Sequence, residues 1–429
     1  MSLWKVAWRS IQQRALASAL TAVSMALGVS LVVAVLVIYK VVEKSFHRGG
    51  EGYDLIVGAK GGGRLELVLA SVYYIGQPQE NIPYSYYKEL REGRLSEFVD
   101  LAIPICLGDN YEGYRVVATT PEMLGELKQM GDQPYQFAEG GRNFEPDAYF
   151  EAVVGATVAR KTGLGVGDTF RPTHDIAGQE QHKHRPFTVV GVLEPTGTPN
   201  DQALFINIEG FYRIGGHTAA KGEAHHDEDD DEHEHEHAAV PEERKGVTAV
   251  LVRTDEHKGA MVTDHLAREI NGDKLAQAAI PAKEIALLFE KIIGDIEMVL
   301  LWFGIMIVLV AGIGIMVSIY NSMSDRRHEI AIMRSLGASR GTIMLVILME
   351  SILLSLGGGL LGLALGHGLI AALGPTIAAK TGFSMGLLQF RGAELILIPG
   401  LILLASAVGY LPAVAAYRTD VSKSLGANP

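Results

Sequence analysis

The chain has 429 residues, of which 48% are hydrophobic, and its mean hydropathy is positive. This length holds one sizeable soluble domain and several membrane spans, and the composition argues against a purely soluble protein. The formal net charge is −12, but residues 217–237 hold nine acidic residues and one lysine, which give −8 of it. The rest is only mildly acidic, so nothing indicates a nucleic-acid partner. Cys106 is the only cysteine, which excludes an intrachain disulfide.

The first transmembrane helix is predicted close to the N-terminus, after an amphipathic lead-in over residues 1–14. An uncharged apolar run from Ala15 to Tyr39 exceeds the roughly 20 residues that cross a hydrocarbon core. It also exceeds the apolar region of a signal peptide, and its small residues precede the apolar stretch rather than follow it. We therefore expect a retained helix over residues 15–42.

A large α+β domain is predicted for residues 43–297. Short β-type runs such as Phe187–Leu193 and Val247–Val252 alternate there with helical stretches and turn sequences. The glycine-rich segment 57–64, VGAKGGGR, superficially resembles a phosphate-binding loop but lacks the GK[ST] ending. It has two interpretations: a backbone nest for a lipid phosphate or peptide carboxylate, or a strand-to-helix turn.

Residues 215–246 form a low-complexity insertion whose composition cannot bury a core. In the run HEHEH, an extended backbone places three imidazoles on one side, a set of donors that suits zinc, copper or nickel. Two interpretations stay open, a metal-capturing or metal-sensing loop and a solvated linker. The candidate metal ligands are His217, His225, His226, His233, His235 and His237.

Three further apolar runs predict three more transmembrane helices, which makes four in all. The third run is interrupted by Glu350 and His367, but its flanking turns are strongly apolar. The predicted segments are helices 298–324, 341–373 and 394–417, a cytoplasmic segment 325–340, a short outer loop 374–393 and a tail 418–429.

Basic residues distribute unevenly among the connections and predict the orientation of the helices. They place both termini and residues 325–340 in the cytoplasm, and residues 43–297 outside it. The residues concerned are Lys5, Arg9, Arg14, Arg326, Arg327, Arg334, Arg340, Arg418 and Lys423.

Two features inside the third predicted span bear on packing. Glu350 is costly within a membrane unless it faces protein or water, so we expect it to stabilise the helix bundle or to take part in transmission. Gly358, Gly362 and Gly366 recur every four residues, which allows close helix packing, within one chain or between two copies.

The cytoplasmic segment between the second and third spans is a basic amphipathic element, SMSDRRHEIAIMRSLGAS, that can lie on lipid or dock a partner. It resembles the pattern RRxEIxxxRxxGA of MacB/FtsX-type ABC transporter permeases. The lead-in LWKVAWRSIQQRALASALT, the runs EAVVGATVARKTGLGVGDTF and FTVVGVLEPTGTPND, the third span MESILLSLGGGLLGLALG and the closing GYLPAVAAYRTDVSKSLGANP are also similar to that family. The resemblance covers nearly the whole chain.

The resemblance implies a multi-pass subunit of the bacterial inner membrane with a MacB-like periplasmic core domain. It implies two permease copies, identical or paralogous, bound to cytoplasmic ATPase subunits, with contacts to lipid and to a periplasmic binding or adaptor protein. The cargo would be a lipoprotein, peptide, toxin or drug, and the histidine-rich insertion adds a metal-related cargo. The residues matched to the coupling helix are Asp325, Arg326, Arg327, Glu329, Ile330, Met333, Arg334, Leu336 and Gly337.

No GxxxxGK[ST] motif occurs in the sequence, so ATP is expected to bind a partner chain. Only about 14 residues precede the first span, which predicts that the ATPase is a separate polypeptide. We expect no catalytic residue and no cofactor in this chain, zinc or another transition metal at the insertion excepted.

Overall fold

The computed structural model describes residues 3–49, 52–77, 80–128, 133–174, 185–214, 240–258, 261–325, 327–335, 337–381 and 392–418. The chain divides into two compact units. The helical unit comprises residues 1–41, 292–376 and 385–429, and the sheet domain comprises residues 42–291 and 377–384.

The sheet domain is built on a mixed ten-stranded sheet and a small two-stranded one. Its strands are β1 Leu55–Ala59, β2 Ile82–Pro83, β3 Val99–Tyr111, β4 Tyr114–Thr119, β5 Glu151–Val154, β6 Thr169–Phe170, β7 Thr173–His174, β8 Phe187–Val192, β9 Ala203–Asn207, β10 Gly246–Val247, β11 Ala249–Thr254 and β12 Ala276–Ala279. The order in the large sheet is β12-β1-β11-β3-β4-β9-β5-β8-β6, with β7 on β3, while β10 pairs with β2. The pairs β4–β9 and β5–β8 are parallel, and the others are antiparallel.

Helices accompany this sheet along the chain. They are α3 Arg64–Val72, α4 Tyr84–Arg91, α5 Glu122–Gly125, α6 Ala156–Thr162, α7 Ile208–Arg213, α8 Val262–Gly272 and α9 Pro281–Leu288, with 3₁₀ turns at Arg94–Phe98, Pro199–Gln202, Glu242–Arg244 and Glu256–Lys258. Strands β1, β9 and β12 are buried at every residue, which explains why their side chains are apolar or small apart from Asn207 and Gln277. The mixed sheet with its helices confirms the predicted α+β domain.

The turn Glu194–Asp201 is held by one buried carboxylate. Asp201 Oδ1 accepts hydrogen bonds from the Thr196 backbone N–H at 2.9 Å and from the Thr196 hydroxyl at 2.8 Å, and Oδ2 accepts from the Gly197 N–H at 2.9 Å. Burial raises the pKa of Asp201, and these donors oppose that shift. The sequence EPTGTPND therefore encodes a turn that closes on its own aspartate.

The glycine-rich segment 57–64 is a strand-to-helix turn whose helix end is already satisfied. The Gly63 N–H donates to Glu66 Oε2 at 3.2 Å, so the carboxylate of α3 caps its own helix. Lys60 Nζ donates to the Asn271 carbonyl oxygen at 2.9 Å. These contacts favour the turn over an anion nest, because an internal carboxylate occupies the N-terminus of α3.

The helical unit holds the remaining helices. They are α1 Leu3–Gln13, α2 Ala15–Gly49, α10 Gly294–Asp325, α11 Arg327–Ser335, α12 Arg340–Thr381 and α13 Gly392–Arg418, with a π-helical turn Phe289–Ile293 ahead of α10. Among the described residues, four stretches are long and apolar enough to cross a membrane: Ala15–Lys40, Pro281–Asn321, Arg340–Gly374 and Leu397–Val414. The sheet domain lies between the first and second of these, which confirms the predicted fold class.

Two helices run on beyond the bounds expected from hydropathy. α2 continues to Gly49 and α12 continues to Thr381, seven or eight residues past the predicted ends at 42 and 373. Hydropathy marks where a segment leaves hydrocarbon, whereas a helix ends only where its backbone hydrogen bonds stop. The short outer loop predicted at 374–393 is therefore helical at its start.

Small side chains bring the long helices together. A Cβ on Gly304 of α10 would lie 2.5 Å from Val32 of α2, and a Cβ on Gly312 would lie 3.2 Å from Val408 of α13. α12 and α13 are also joined by a hydroxyl, since Ser351 Oγ donates to the Ala405 carbonyl oxygen at 3.1 Å. Close approach and interhelical hydrogen bonds are the interactions expected of helices in lipid.

Candidate functional site

The short helix α11 joins α10 to α12, and its end is defined by one glycine. Gly337 has φ +101°, a conformation that is costly for residues with a Cβ. The Gly337 N–H donates to the Arg334 carbonyl oxygen at 3.1 Å and the Ala338 N–H donates to that of Met333 at 3.0 Å. These bonds form a Schellman-type helix end.

The next helix begins immediately after this turn. Ser339 Oγ accepts the Thr342 N–H at 3.1 Å and lies 2.9 Å from the Thr342 hydroxyl, as an N-cap residue does. The sequence SLGAS therefore stops α11 and starts α12 within a few residues.

One face of α11 is anchored in the helical unit. Ile330 is only 7% exposed and belongs to the same apolar cluster as Ile343 and Ile347 of α12, with Met333 packed against that cluster. Ile332, by contrast, is 43% exposed. A displacement of α11 would therefore reach α12 through buried side chains, while another face stays free for contact.

Several residues predicted for this site lie outside what the structure describes. Arg326 and Leu336 lie wholly outside the described residues. For Asp325, Arg327 and Glu329 the structure describes the backbone only. Asp325 ends α10 and Arg327 begins α11.

Two arginine contacts show which other elements share the end of the bundle where α11 lies. Arg14, between α1 and α2, donates from Nη2 to the Ser318 carbonyl oxygen of α10 at 2.7 Å. The Arg340 guanidinium, at the start of α12, lies 5.7 Å from the centre of the Tyr417 ring near the end of α13. The structure thus gathers basic residues that flank different spans at one end of the helical unit.

Glu350 is buried, with 3% of its surface exposed. Its Oε2 accepts a hydrogen bond from the Ser10 hydroxyl of α1 at 2.8 Å. Sequence reasoning found Glu350 but missed Ser10, because a serine in a short helix is unremarkable. The available signal was spacing, since Ser10 follows Ala7 on the buried face of the amphipathic α1.

The three glycines of α12 lie against α2 of the same chain. A Cβ on Gly358 or Gly362 would come closer than 3.0 Å to the α2 backbone, which real Cβ atoms essentially never do, and a Cβ on Gly366 would lie 3.2 Å from it, so the seam brings the two backbones together. The distances from that Cβ to a carbonyl oxygen of α2 are 2.9 Å for Gly358 to Ala22, 2.6 Å for Gly362 to Ala26 and 3.2 Å for Gly366 to Ser30.

The candidate metal ligands all fall within residues 215–239, outside the described residues. The described chain on either side is tied together, since Lys245 Nζ lies 2.6 Å from Glu209 Oε1 and the Tyr212 hydroxyl donates to the Gly246 carbonyl oxygen at 2.8 Å. The insertion therefore leaves and re-enters the domain at one place. Elsewhere in the described ranges, no group of three or more His, Cys, Asp or Glu side chains is placed to hold a metal.

Cys106 lies beside this junction, and its thiol is unreactive. Its Sγ donates to the Gly246 carbonyl oxygen at 3.3 Å, and burial raises the pKa of the thiol to about 12. Since the thiolate is the reactive form, this cysteine is protected at neutral pH.

Comparison with known families gives two matches that together span most of the chain. Residues 18–258 match the MacB-like periplasmic core domain, which alone exceeds half of the chain, and residues 301–421 match the FtsX-like permease C-terminal family.

Individual relatives match over shorter stretches. The uncharacterized ABC transporter permease YknZ of Bacillus subtilis is 38% identical over 117 residues, covering 27% of this chain and 28% of the relative. The macrolide export ATP-binding/permease protein MacB of Escherichia coli is 36% identical over 148 residues, 32% of this chain and 22% of the relative. The uncharacterized ABC transporter permease MJ1507 of Methanocaldococcus jannaschii is 24% identical over 269 residues, 62% of this chain and 58% of the relative. The aligned part is thus less than two thirds of each of these relatives.

Proposed function

This chain belongs to the MacB/FtsX-type family of ABC transporter permeases, and we propose that it couples ATP hydrolysis by a separate cytoplasmic ATPase to movement of the sheet domain. The absence of a GxxxxGK[ST] motif from the sequence supports a non-catalytic role, with ATP bound by the partner.

The observation that carries this proposal is the construction of α11. The helix is closed by Gly337, followed directly by the capped start of α12, and anchored through Ile330. Such an element transmits force well, because a push on its exposed face reaches the spans through packed side chains rather than through a flexible loop. We propose that α11 docks in the ATPase and acts as the coupling helix, with Arg327, Glu329 and Arg334 contributing charged contacts.

The orientation and assembly follow from the same proposal. The basic end of the helical unit faces the cytoplasm of a bacterial inner membrane, and the sheet domain lies outside it. Two copies of the permease, identical or paralogous, work with the ATPase subunits, surrounded by lipid and assisted by a periplasmic adaptor or binding protein. The cargo is a lipoprotein, a peptide, a hydrophobic small molecule or a metal-related substrate, moved or extracted on the outer side by mechanotransmission.

A charge placed on the exposed face of α11 is expected to break the ATPase contact. Ile332→Glu leaves the buried Ile330 in place but puts a carboxylate in place of an exposed apolar side chain in the proposed contact, where desolvation without a partner is unfavourable. Pull-down from a mild detergent extract with the tagged chain should recover an ATPase subunit with the unaltered protein and lose it, about tenfold or more, with Ile332→Glu. The pair Arg327→Glu with Glu329→Arg should act in the same way.

Met261→Glu supplies the matched control, because Met261 is an apolar residue of the sheet domain that is 75% exposed. That variant should retain the ATPase. Absence of an ATPase from the unaltered protein, or full recovery with Ile332→Glu, would argue against docking at α11.

A second candidate function is metal binding or sensing by the histidine-rich insertion. It is favoured by six histidines among nine carboxylates in residues 217–237, and by the tied junction at Glu209 and Lys245 that would hold the ends of such a loop together. Neutral imidazole nitrogens are good ligands for zinc and other late transition metals.

Changing all six histidines to asparagine is expected to abolish tight zinc binding by the full chain, measured by isothermal titration calorimetry. Deletion of Gly216–Ala238 should have the same effect. In the unaltered protein the affinity should fall as the pH drops through about 6.5, because protonated imidazole cannot bind the metal. Unchanged binding by the asparagine variant, which keeps the length and the carboxylates, would contradict a histidine site.

A further inference from the structure

The N-terminal helix α1 is attached to both helices that flank α11. Arg14, directly after α1, donates to the Ser318 carbonyl oxygen on α10 at 2.7 Å. Ser10 Oγ donates to Glu350 Oε2 on α12 at 2.8 Å. Ser318 lies about two turns before the end of α10, and Glu350 about three turns after the start of α12. α1 thus bridges the two helices close to the point where α11 joins them.

The contact with α12 is fully enclosed. Ser10 is 1% exposed and Glu350 is 3% exposed, so water does not compete for this hydrogen bond. A buried carboxyl oxygen is costly without a donor, and hydrogen bonds to carboxylates are stronger than those between neutral groups. Ile11 of α1 also packs against the apolar cluster that contains Ile330 of α11. α1 is therefore held to the bundle by polar and apolar contacts together.

The opposite face of α1 carries the residues of a membrane interface. Trp4 is 54% exposed and Trp8 is 50% exposed, Lys5 and Arg9 are exposed beside them, and α1 contains no acidic residue. Tryptophan and basic side chains favour the headgroup region of a bilayer. That preference favours a position of α1 at the membrane interface.

We infer that α1 is a latch that makes α10, α11 and α12 move as one body, and that Ser10, Arg14 and Glu350 are positioning residues for transmission. This inference rests on the function proposed above. It adds a second element, α1, to the proposed coupling helix α11. With the latch in place, a push on α11 displaces both flanking helices together. Without the latch, a push on α11 changes the angle between α10 and α12 and is not passed on.

The first test measures attachment of α1 in the permease alone, in lipid nanodiscs, by hydrogen–deuterium exchange of residues 3–14. Ser10→Val and Ser10→Thr are matched in shape, but only threonine keeps the hydroxyl that donates to Glu350. Exchange in α1 should be about tenfold faster or more in Ser10→Val and near the unaltered rate in Ser10→Thr. A second pair changes the acceptor. Exchange in α1 should be faster in Glu350→Leu than in Glu350→Gln, because glutamine keeps an acceptor oxygen.

The second test measures transmission in the complex with the ATPase that co-purifies. A fluorophore on Val166→Cys reports on the sheet domain, where Val166 is 48% exposed, while the buried Cys106 stays unlabelled. ATP with vanadate should change its emission in the unaltered and Ser10→Thr proteins, and several-fold less in Ser10→Val. The amount of bound ATPase should be the same in all three, which separates a positioning role from simple loss of folded protein.

Each outcome decides a different point. Unchanged exchange of α1 in Ser10→Val overturns the latch. Faster exchange with an intact emission change overturns the positioning role. If no ATPase is recovered even with the unaltered chain, the proposed function fails, and the exchange measurement still decides whether α1 is held by Ser10 and Glu350.

Discussion

Gly362→Leu is expected to destabilise the helical unit strongly, the largest effect we predict for a single side chain in that unit. A Cβ at Gly362 would lie 2.6 Å from the Ala26 carbonyl oxygen and 2.8 Å from Val29 Cβ. The first contact is with backbone, so no rotation of a neighbouring side chain relieves it. Overpacking typically costs about 1–3 kcal/mol, and a clash with backbone is expected at the upper end of this range, because α2 and α12 must move apart. The measurement is the yield of monodisperse protein in detergent and its thermal unfolding midpoint.

Gly368 of the same helix provides the matched control. A Cβ there would meet nothing within 4 Å, so Gly368→Leu should fold with nearly unaltered yield and unfolding midpoint. Equal loss in both variants would indicate that α12 needs glycine for reasons other than contact with α2. Normal folding of Gly362→Leu would mean that the seam is not a close contact.

The glycine seam also has a place in the proposed mechanism. α12 begins beside α11, and α2 is the helix that precedes the sheet domain along the chain. A close backbone contact between α12 and α2 leaves little room for sliding, since small-residue interfaces pack without flexible side chains between them. If the proposed function holds, displacement of α12 is expected to reach α2 through this contact.

The sequence predicted the parts of the fold that depend on local composition. The apolar runs identified four spans, the change to short alternating segments identified the α+β domain, and the turn at residues 194–201 followed from its own residue types. The amphipathic segment between the second and third spans was predicted from the helical spacing of its apolar residues and from its resemblance to the pattern RRxEIxxxRxxGA, and the structure shows that its helix ends at Gly337 and that Ser339 caps the next one. Such signals act over a few residues, and sequence patterns report them well.

Features that join distant residues could not be predicted in this way. Ser10 and Glu350 are 340 positions apart, and no periodicity links them. The four-residue spacing of the α12 glycines indicated close packing, but it carries no information on the partner helix, which is α2 in this structure. Strand order could not be predicted either, because it also depends on distant residues: the parallel pair β4 and β9 joins Arg115 to Ala203 across several intervening elements. Hydropathy alone also gave no signal for the extension of α12 to Thr381.

Gly210→Ala is expected to destabilise the sheet domain strongly, although it adds a single methyl group. Gly210 lies on α7, and a Cβ there would overlap the Tyr149 carbonyl oxygen and approach Phe187 Cε1 to 3.1 Å. The guanidinium of Arg213, one turn later, lies 4.0 Å from the centre of the Tyr149 ring, so α7 is fixed against this segment at two points. A clash with backbone forces α7 away from the sheet and should cost about 3 kcal/mol or more.

Cys106 makes this loss measurable in the intact chain. It is the only cysteine, it is buried in the sheet domain, and its thiol becomes reactive when that domain opens. Labelling with a maleimide across a urea titration should therefore reach its midpoint at much lower urea in Gly210→Ala than in the unaltered protein. Gly272→Ala is the control, because Gly272 ends α8, a Cβ there meets nothing within 4 Å, and alanine in a helix is favoured over glycine by about 1 kcal/mol. A midpoint in Gly210→Ala equal to that of Gly272→Ala would contradict the close packing of α7 on Tyr149, and with it the fixed junction from which the histidine-rich insertion leaves the domain.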